Sequence, residues 1–192
     1  MLEQLRKKFP MSDSQFAEFS GYLRKIEVPA KTILLKEGEV AKKIFFIEKG
    51  CVRVWFNNDG KDLTMQFFFE QETVASIESL KKGIPSLLTL ETIEPCVIWY
   101  ISKQDLDKML PVLESTPELR NVFINNLFDR MFHYMNHFFS FLRDSPLKRY
   151  QALILEKPMV IQRIPQHYIA SYLGVSSVHL SRIKSQLIRE KR

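Results

Sequence analysis

Six of the side chains best equipped for recognition chemistry crowd into the span 176–182 near the C-terminus: Ser176, Ser177, Val178, His179, Ser181 and Arg182. A guanidinium such as that of Arg182 presents a planar fork of donors that matches the O6 and N7 acceptors of guanine, a geometry worth about 1–3 kcal/mol of discrimination. The Val178 side chain can meet a thymine methyl, and the His179 imidazole can donate or accept at a base edge or a phosphate. Ser176, Ser177, Lys184 and Arg189 carry hydroxyls and cations suited to phosphate oxygens, contacts that position a protein without specifying sequence. Taken singly, each is an ordinary surface residue. The chemistry requires an element that presents them together.

That element is legible in the spacing. From Ile164 to Lys184 the chain reads as two helices joined by a tight turn. With Gln166 as the first position, Ala170 falls where the helices touch and only a small side chain fits. Gly174 falls where the turn needs positive φ. Ile169, Leu173, Val175, Leu180 and Ile183 occupy the positions that must be apolar to hold the pair together. Ser176 stands at the N-cap of the second helix. All seven packing positions are filled as a helix-turn-helix demands. In that arrangement the second helix enters a major groove by its N-terminal end.

Charge agrees with this reading. Residues 143–192 hold 10 Lys/Arg against 3 acids, whereas the preceding residues hold 18 bases against 19 acids. The excess positive charge sits in the last quarter of the chain, as expected for a protein that meets a polyanion.

Upstream lies a long helical segment. Thr116 and Pro117 form a start signal, with Thr116 as N-cap, and the pattern runs to about Leu142, roughly 40 Å of helix. Ile124, Phe128, Met131, Met135, Phe138 and Leu142 step by four and three alternately, the seam of a coiled coil. A second stripe of Leu119, Phe123 and Leu127 lies beside it. One stripe can cover the chain's own core while the other meets a second copy, so a homodimer is expected. Arg143-Asp144-Ser145-Pro146 breaks the helix and reads as a hinge. A further helix follows from Leu147 to Glu156, and Met159-Val160-Ile161 reads as a short strand.

The first half reads differently. Ser12 and Gln15 have capping-box spacing ahead of a helix whose Phe16, Phe19 and Leu23 share a face. From Ile26 to about Ile101, short apolar runs recur between turn residues: Thr32–Leu35, Ile44–Ile47, Val52–Phe56, Leu63–Phe67 and Val97–Ile101. Asn58-Asp59-Gly60 is a hairpin signal. Val52, Val54 and Phe56 alternate with Arg53 and Trp55, which predicts a strand with Arg53 on its wet face. Many short strands with frequent turns indicate an antiparallel barrel or sandwich. Asp105–Leu110 reads as a short helix stopped by Pro111.

Composition bounds the alternatives. The chain has 192 residues, 45% apolar and 26% charged, enough for a core without disulfides. Cys51 and Cys96 read as small buried residues in strands, too few for a thiolate cluster. His133 and His137 lie four apart without an acidic or cysteine partner at the right offset, which favours surface histidines over a metal site. The sequence shows no P-loop, nucleophile elbow or paired acids, so neither an enzyme nor a cofactor is expected. The basic N-terminus has no apolar stretch behind it, and no run approaches the roughly 18 apolar residues of a membrane span. The expectation is a soluble, cytoplasmic protein with no membrane partner.

Barrel, long helix, hinge and helix-turn-helix, in that order, resemble the cyclic-AMP receptor protein/FNR (Crp/Fnr) family of bacterial transcription regulators. The resemblance is carried by residues 31–38 and 44–54, which look like the family's early β-roll strands and glycine turns, and by Ile169 to Arg182. It implies an α+β chain divided into a jelly-roll-like, cyclic-nucleotide-binding-like effector domain (1–115), a dimerisation helix (116–142) and a C-terminal winged helix-turn-helix domain (143–192). The partners it implies are double-stranded DNA, a second copy and RNA polymerase.

The chain departs from the family pattern at the effector pocket. Members that bind cyclic AMP use a Phe-Gly-Glu segment on the ribose, which aligns with Ala75 and Ser76, and an Arg-Ser pair on the phosphate, which aligns with Ser86 and Leu87. The Gly, Glu and Arg are absent, so the anion lacks its bidentate partner and a different effector, or none, is expected. Glu78 lies two positions off, and Lys81 and Lys82 stand nearby. In the recognition helix the family's usual Arg and Glu align with Ser177 and Val178, while its second Arg is kept as Arg182. The wing strand is expected to be short or missing. Two other readings are a signalling module whose terminal helices dock a protein, and a cyclic-nucleotide receptor with a rearranged pocket.

Overall fold

The computed structural model describes residues 2–190; Met1 and the tail residues Lys191 and Arg192, counted in the basic segment, lie outside the described residues. Two helices open the chain, α1 (Leu2–Lys8) and α2 (Asp13–Tyr22). Eight strands follow: β1 (Arg24–Val28), β2 (Ile33–Leu35), β3 (Lys43–Lys49), β4 (Val52–Asn58), β5 (Lys61–Phe68), β6 (Thr73–Val74), β7 (Thr89–Thr92) and β8 (Cys96–Ser102). Helix α3 (Ile77–Lys82) interrupts them. The rest is helical: α4 (Lys103–Ser115), α5 (Pro117–Arg143), α6 (Pro146–Glu156), α7 (Pro158–Arg163), α8 (Gln166–Tyr172) and α9 (Ser177–Glu190). Helix α9 ends at the last described residue.

The chain forms two compact units. One comprises Met1–Val54 with Phe68–Arg130, and the other Trp55–Phe67 with Met131–Arg192.

The first unit holds the β-roll apart from Trp55–Phe67, which belongs to the second. The strands form two four-stranded sheets, ordered β1-β8-β3-β6 and β2-β7-β4-β5. β8 pairs antiparallel with both β1 and β3, which places Ile98 between Ile26 and Ile47. Between the sheets lies a core of Leu35, Phe45, Ile47, Val52, Val54, Val74, Leu90 and Ile98. A second cluster packs α1, α2 and α4 on β3 and β8 through Leu5, Phe19, Leu23, Phe46, Ile101 and Met109. The start of α2 matches its spacing: Ser12 Oγ accepts from the Gln15 amide, and Gln15 Oε1 accepts from the Ser12 amide at 2.9 Å. The β4–β5 turn has Asp59 and Gly60 at φ 51° and 82°, the left-handed pair that a two-residue hairpin requires.

Several expectations are corrected. Arg53 is not on a wet face. It is wholly buried, with its guanidinium 3.3 Å from the Glu91 carboxylate of neighbouring β7. Alternation correctly separates Arg53 from Val52 and Val54, but it cannot reveal that both faces of β4 are covered here. Pro111 does not end α4, which begins at the Ser102 cap and runs to Ser115. The interior proline removes one backbone hydrogen bond, and the packing of Met109 and Val112 in the second cluster offsets that loss. Met159-Val160-Ile161 is helical, not extended, because Pro158 occupies the first turn of α7 and presets its φ. Cys51 lies in the β3–β4 turn rather than in a strand, although it and Cys96 are both buried. There the turn needs Gly50, at φ 103°, where a Cβ would stand 2.9 Å from the Pro95 carbonyl oxygen.

The Arg53–Glu91 pair generates a stability prediction. Arg53→Ala leaves a carboxylate nearly buried without its cation, which should cost about 3–5 kcal/mol. Adding Glu91→Leu should recover part of that loss. Urea denaturation of the two variants checks both values.

Candidate nucleic-acid interface

Helices α8 and α9 are joined by residues 173–176. Their shared surface is built from Ile169, Ala170, Leu173, Leu180 and Ile183, all buried, with Val175 half-buried. Gly174 has φ +67° and donates to the Ser171 carbonyl at 3.0 Å, while Val175 donates to the Ala170 carbonyl at 3.0 Å. A Cβ at Gly174 would also lie 2.7 Å from Phe141 Cε1, so both conformation and space call for glycine. Ser176 caps α9, its Oγ accepting from the His179 amide at 3.1 Å.

The outcome of this packing is the presentation of α9. Ser176, Ser177, Val178, His179, Ser181, Arg182 and Arg189 are exposed. Lys184 is half-buried and donates to Gln166 Oε1 at 3.1 Å. The basic charge of this unit divides into two sets. Arg143 pairs with Asp144 at 2.8 Å and holds that carboxyl below the usual range. Arg149 donates to the Asp144 carbonyl at 2.6 Å and the Leu173 carbonyl at 3.0 Å, and lies over the Phe141 ring. These cations hold the scaffold together, closing the break after α5 and capping the end of α8. Among the described residues the Arg182 and Arg189 side chains make no such bond and stand free.

The end of α5 and the tip of the β4–β5 hairpin support α8, a role that sequence reasoning missed. Ser171 Oγ accepts from the Thr64 amide at 2.9 Å and donates to the Asp62 carbonyl at 2.8 Å, so one side chain completes the edge of β5. Tyr172 packs on Phe67 and stacks on His137 at 4.4 Å, and burial raises its phenol pKa. His133 lies 3.2 Å from Gln66 Oε1 and 3.1 Å from Lys157 Nζ. The two histidines are therefore half-buried packing residues rather than surface residues. Burial first, then the charges of Lys157 and Arg149, lowers the His137 pKa to about 4. No periodicity signals these contacts, because they join segments about seventy to a hundred residues apart.

The seam residues lie on another side of α5. Ile124, Phe128, Met131, Met135, Phe138 and Leu142 are 39–72% exposed. Of the neighbouring stripe only Leu119 is buried; Phe123 and Leu127 are exposed. The chain leaves both rows largely bare.

The residues aligned with an effector pocket are brought together in part. Ser86 Oγ lies 2.9 Å from Ser76 Oγ and donates to the Leu88 carbonyl at 2.8 Å, with Ser76 and Ser86 both buried. Ala75 is half-buried beside Ser76, whereas Leu87 is 73% exposed. A cleft of about 190 Å³ lies elsewhere, lined by Gln4, Leu5, Lys8, Phe46, Ile47, Gln71 and Glu72. Among the described residues no three metal-ligating side chains cluster, and no helix is long and apolar enough to cross a membrane.

Residues 25–111 match the family model of the cyclic nucleotide-binding domain. A comparison with curated protein sequences gives no significant match. Solved structures are similar over most of the chain. FixK2 of Bradyrhizobium japonicum is 18% identical with a TM-score of 0.73, covering 88% of this chain and 86% of its own. The c-di-GMP-responsive global regulator CLP of Xanthomonas campestris is 16% identical with a TM-score of 0.72, covering 94% and 93%. A candidate crp/fnr-family transcriptional regulator of Eubacterium rectale is 17% identical with a TM-score of 0.72, covering 96% and 88%. At these identities the likeness is one of fold.

The His137 environment predicts a pH dependence. Its folded pKa of about 4 lies below the ordinary 6.5, so between these values the unfolded chain binds the extra proton. This contribution to stability is complete above about pH 6.5 and is lost as pH falls toward 4. His137→Phe, which keeps a ring on Tyr172, should lose less stability than the native chain between pH 7.5 and 5. Denaturant midpoints at the two pH values measure the difference.

Proposed function

Starting from a chain that carries a cyclic nucleotide-binding domain over residues 25–111 and has the fold of the Crp/Fnr transcription regulators, we propose that it is a homodimeric, sequence-specific DNA-binding regulator. The observation that carries this reading is the state of α9. Leu180 and Ile183 face inward onto α8, while Ser177, Val178, His179, Ser181 and Arg182 are uncovered. Arg182 is an uncommitted guanidinium in a unit whose Arg143 and Arg149 are engaged. A free planar donor fork on an exposed helix is the group that pairs with guanine. Ser176, Ser177, Lys184 and Arg189 serve as the phosphate contacts that set its register.

The bare seam of α5 supports the dimer. At about half exposure, covering each seam side chain contributes roughly 1 kcal/mol, and a second copy presents the same row. His133, His137 and Phe141, which pack within the chain, lie about 100–180° round the helix from the centre of the seam. Two heads related by a dyad suit a near-palindromic site. The functional division proposed is an effector domain over 1–115, a dimerisation helix over 116–142 and a DNA-binding domain over 143–192. The Ser76–Ser86 hydroxyl pair, with no guanidinium beside it in sequence, favours an effector other than a cyclic nucleotide. RNA polymerase is the partner that the resemblance implies.

Two measurements test this reading. Affinity for a preferred duplex should fall steeply with salt, with each lost phosphate contact such as Arg189→Ala lowering the log–log slope by about 1. Arg182→Ala should lose about tenfold on that duplex and little on bulk DNA. A flat salt dependence with no sequence preference would refute DNA recognition. In sedimentation the native chain should run at twice its chain mass, and Phe138→Glu should run as a monomer. A native monomer at micromolar concentration would refute the seam.

A further inference from the structure

On a helical wheel at about 100° per residue, the buried line of α9 is Leu180, Ile183 and the half-buried Leu187. Directly opposite run Val178, Arg182, Ser185 and Arg189, with Ser181 to one side, and all five are exposed. This stripe is the part of α9 that projects furthest from the scaffold. It contains no carboxylate and no amide. A surface of that kind has no carboxylate to accept from the cytosine amino group and no amide to pair with adenine. What it offers is two guanidiniums, of which Arg189 is the one assigned to phosphate, one apolar branch that is 64% exposed, and hydroxyls that serve either way.

We propose that α9 reads each half-site through one guanine and one thymine methyl held in fixed register. This rests on the DNA-binding reading above. Arg182 takes the guanine and Val178 the methyl. The two residues are four apart on the same helical line, about 6 Å along the axis. Base pairs rise about 3.4 Å per step, so the methyl lies about two base pairs from the guanine, on either strand. Ser181 and Ser185 tolerate several bases between and beyond them. Val178 thereby becomes a specificity residue, although it can form no hydrogen bond through its side chain.

The test uses the full chain and a pool of randomised duplexes. Selected half-sites should share a guanine and a thymine about two steps apart. Replacing that thymine by deoxyuridine removes only the methyl, and should weaken native binding by about fourfold, the value of one buried methyl group. Val178→Ala should bind the thymine and deoxyuridine duplexes equally. Replacing the guanine by 7-deazaguanine should weaken the native chain severalfold and leave Arg182→Ala unchanged. Selected sites that lack the pair, or a native chain indifferent to the methyl, would overturn this inference while leaving sequence-specific DNA binding in place. A pool from which no duplex is enriched would overturn the DNA-binding reading and this inference together.

Discussion

The close approach of α8 and α9 is the constraint on which the rest depends. It requires a residue at 174 that adopts positive φ and carries no Cβ, and a residue at 170 too small to hold the helices apart. With both in place, Ile169, Leu173, Leu180 and Ile183 seal a dry surface. The opposite side of α9 is then left outward by geometry alone. The Ser176 cap ends the turn where α9 must begin, so Val178 and Arg182 fall on the projecting line. A shift of one position in any of these would rotate the helix by about 100° and bury the wrong residues.

The distribution of charge gains meaning from this arrangement. A net basic segment is a weak argument by itself, since basic surfaces are common. The structure separates cations that hold the scaffold from those that do not. Arg149 ties the carbonyls of Asp144 and Leu173, and Arg143 neutralises Asp144. The free guanidinium of Arg182 stands out against these. Long helix α5 is similarly divided. Toward its C-terminal end one face carries His133, His137 and Phe141 against Gln66, Tyr172 and Arg149, and the other carries bare Met and Phe side chains. An exposed apolar face on a helix whose other face is packed is what the proposed dimer would cover.

What was legible in the amino-acid order was local. The α8–α9 pair depends on contacts within eighteen positions, so each packing requirement appears as a residue type at a fixed offset. The α2 capping box and the Asp59-Gly60 turn are local in the same sense, and their spacing predicts them. The features that escaped are non-local. Nothing near Arg53 announces Glu91, because the pairing joins strands that are distant in sequence. Pro111 reads as a stop by propensity, and only the packing of Met109 and Val112 shows why the helix continues. His133 and His137 read as surface residues because their partners, Gln66 and Tyr172, come from a hairpin and a helix that periodicity cannot bring together. The Ser171 bond to the hairpin is of the same kind.

In the proposed function, paired copies of α9 read DNA. Chemical footprinting on a selected duplex tests it most directly, because it reports both reading and symmetry. Two protected half-sites are expected, related by a dyad and centred about 34–36 Å apart, on one side of the duplex. Protection that spreads evenly along the DNA, or a single unpaired site, would contradict this reading.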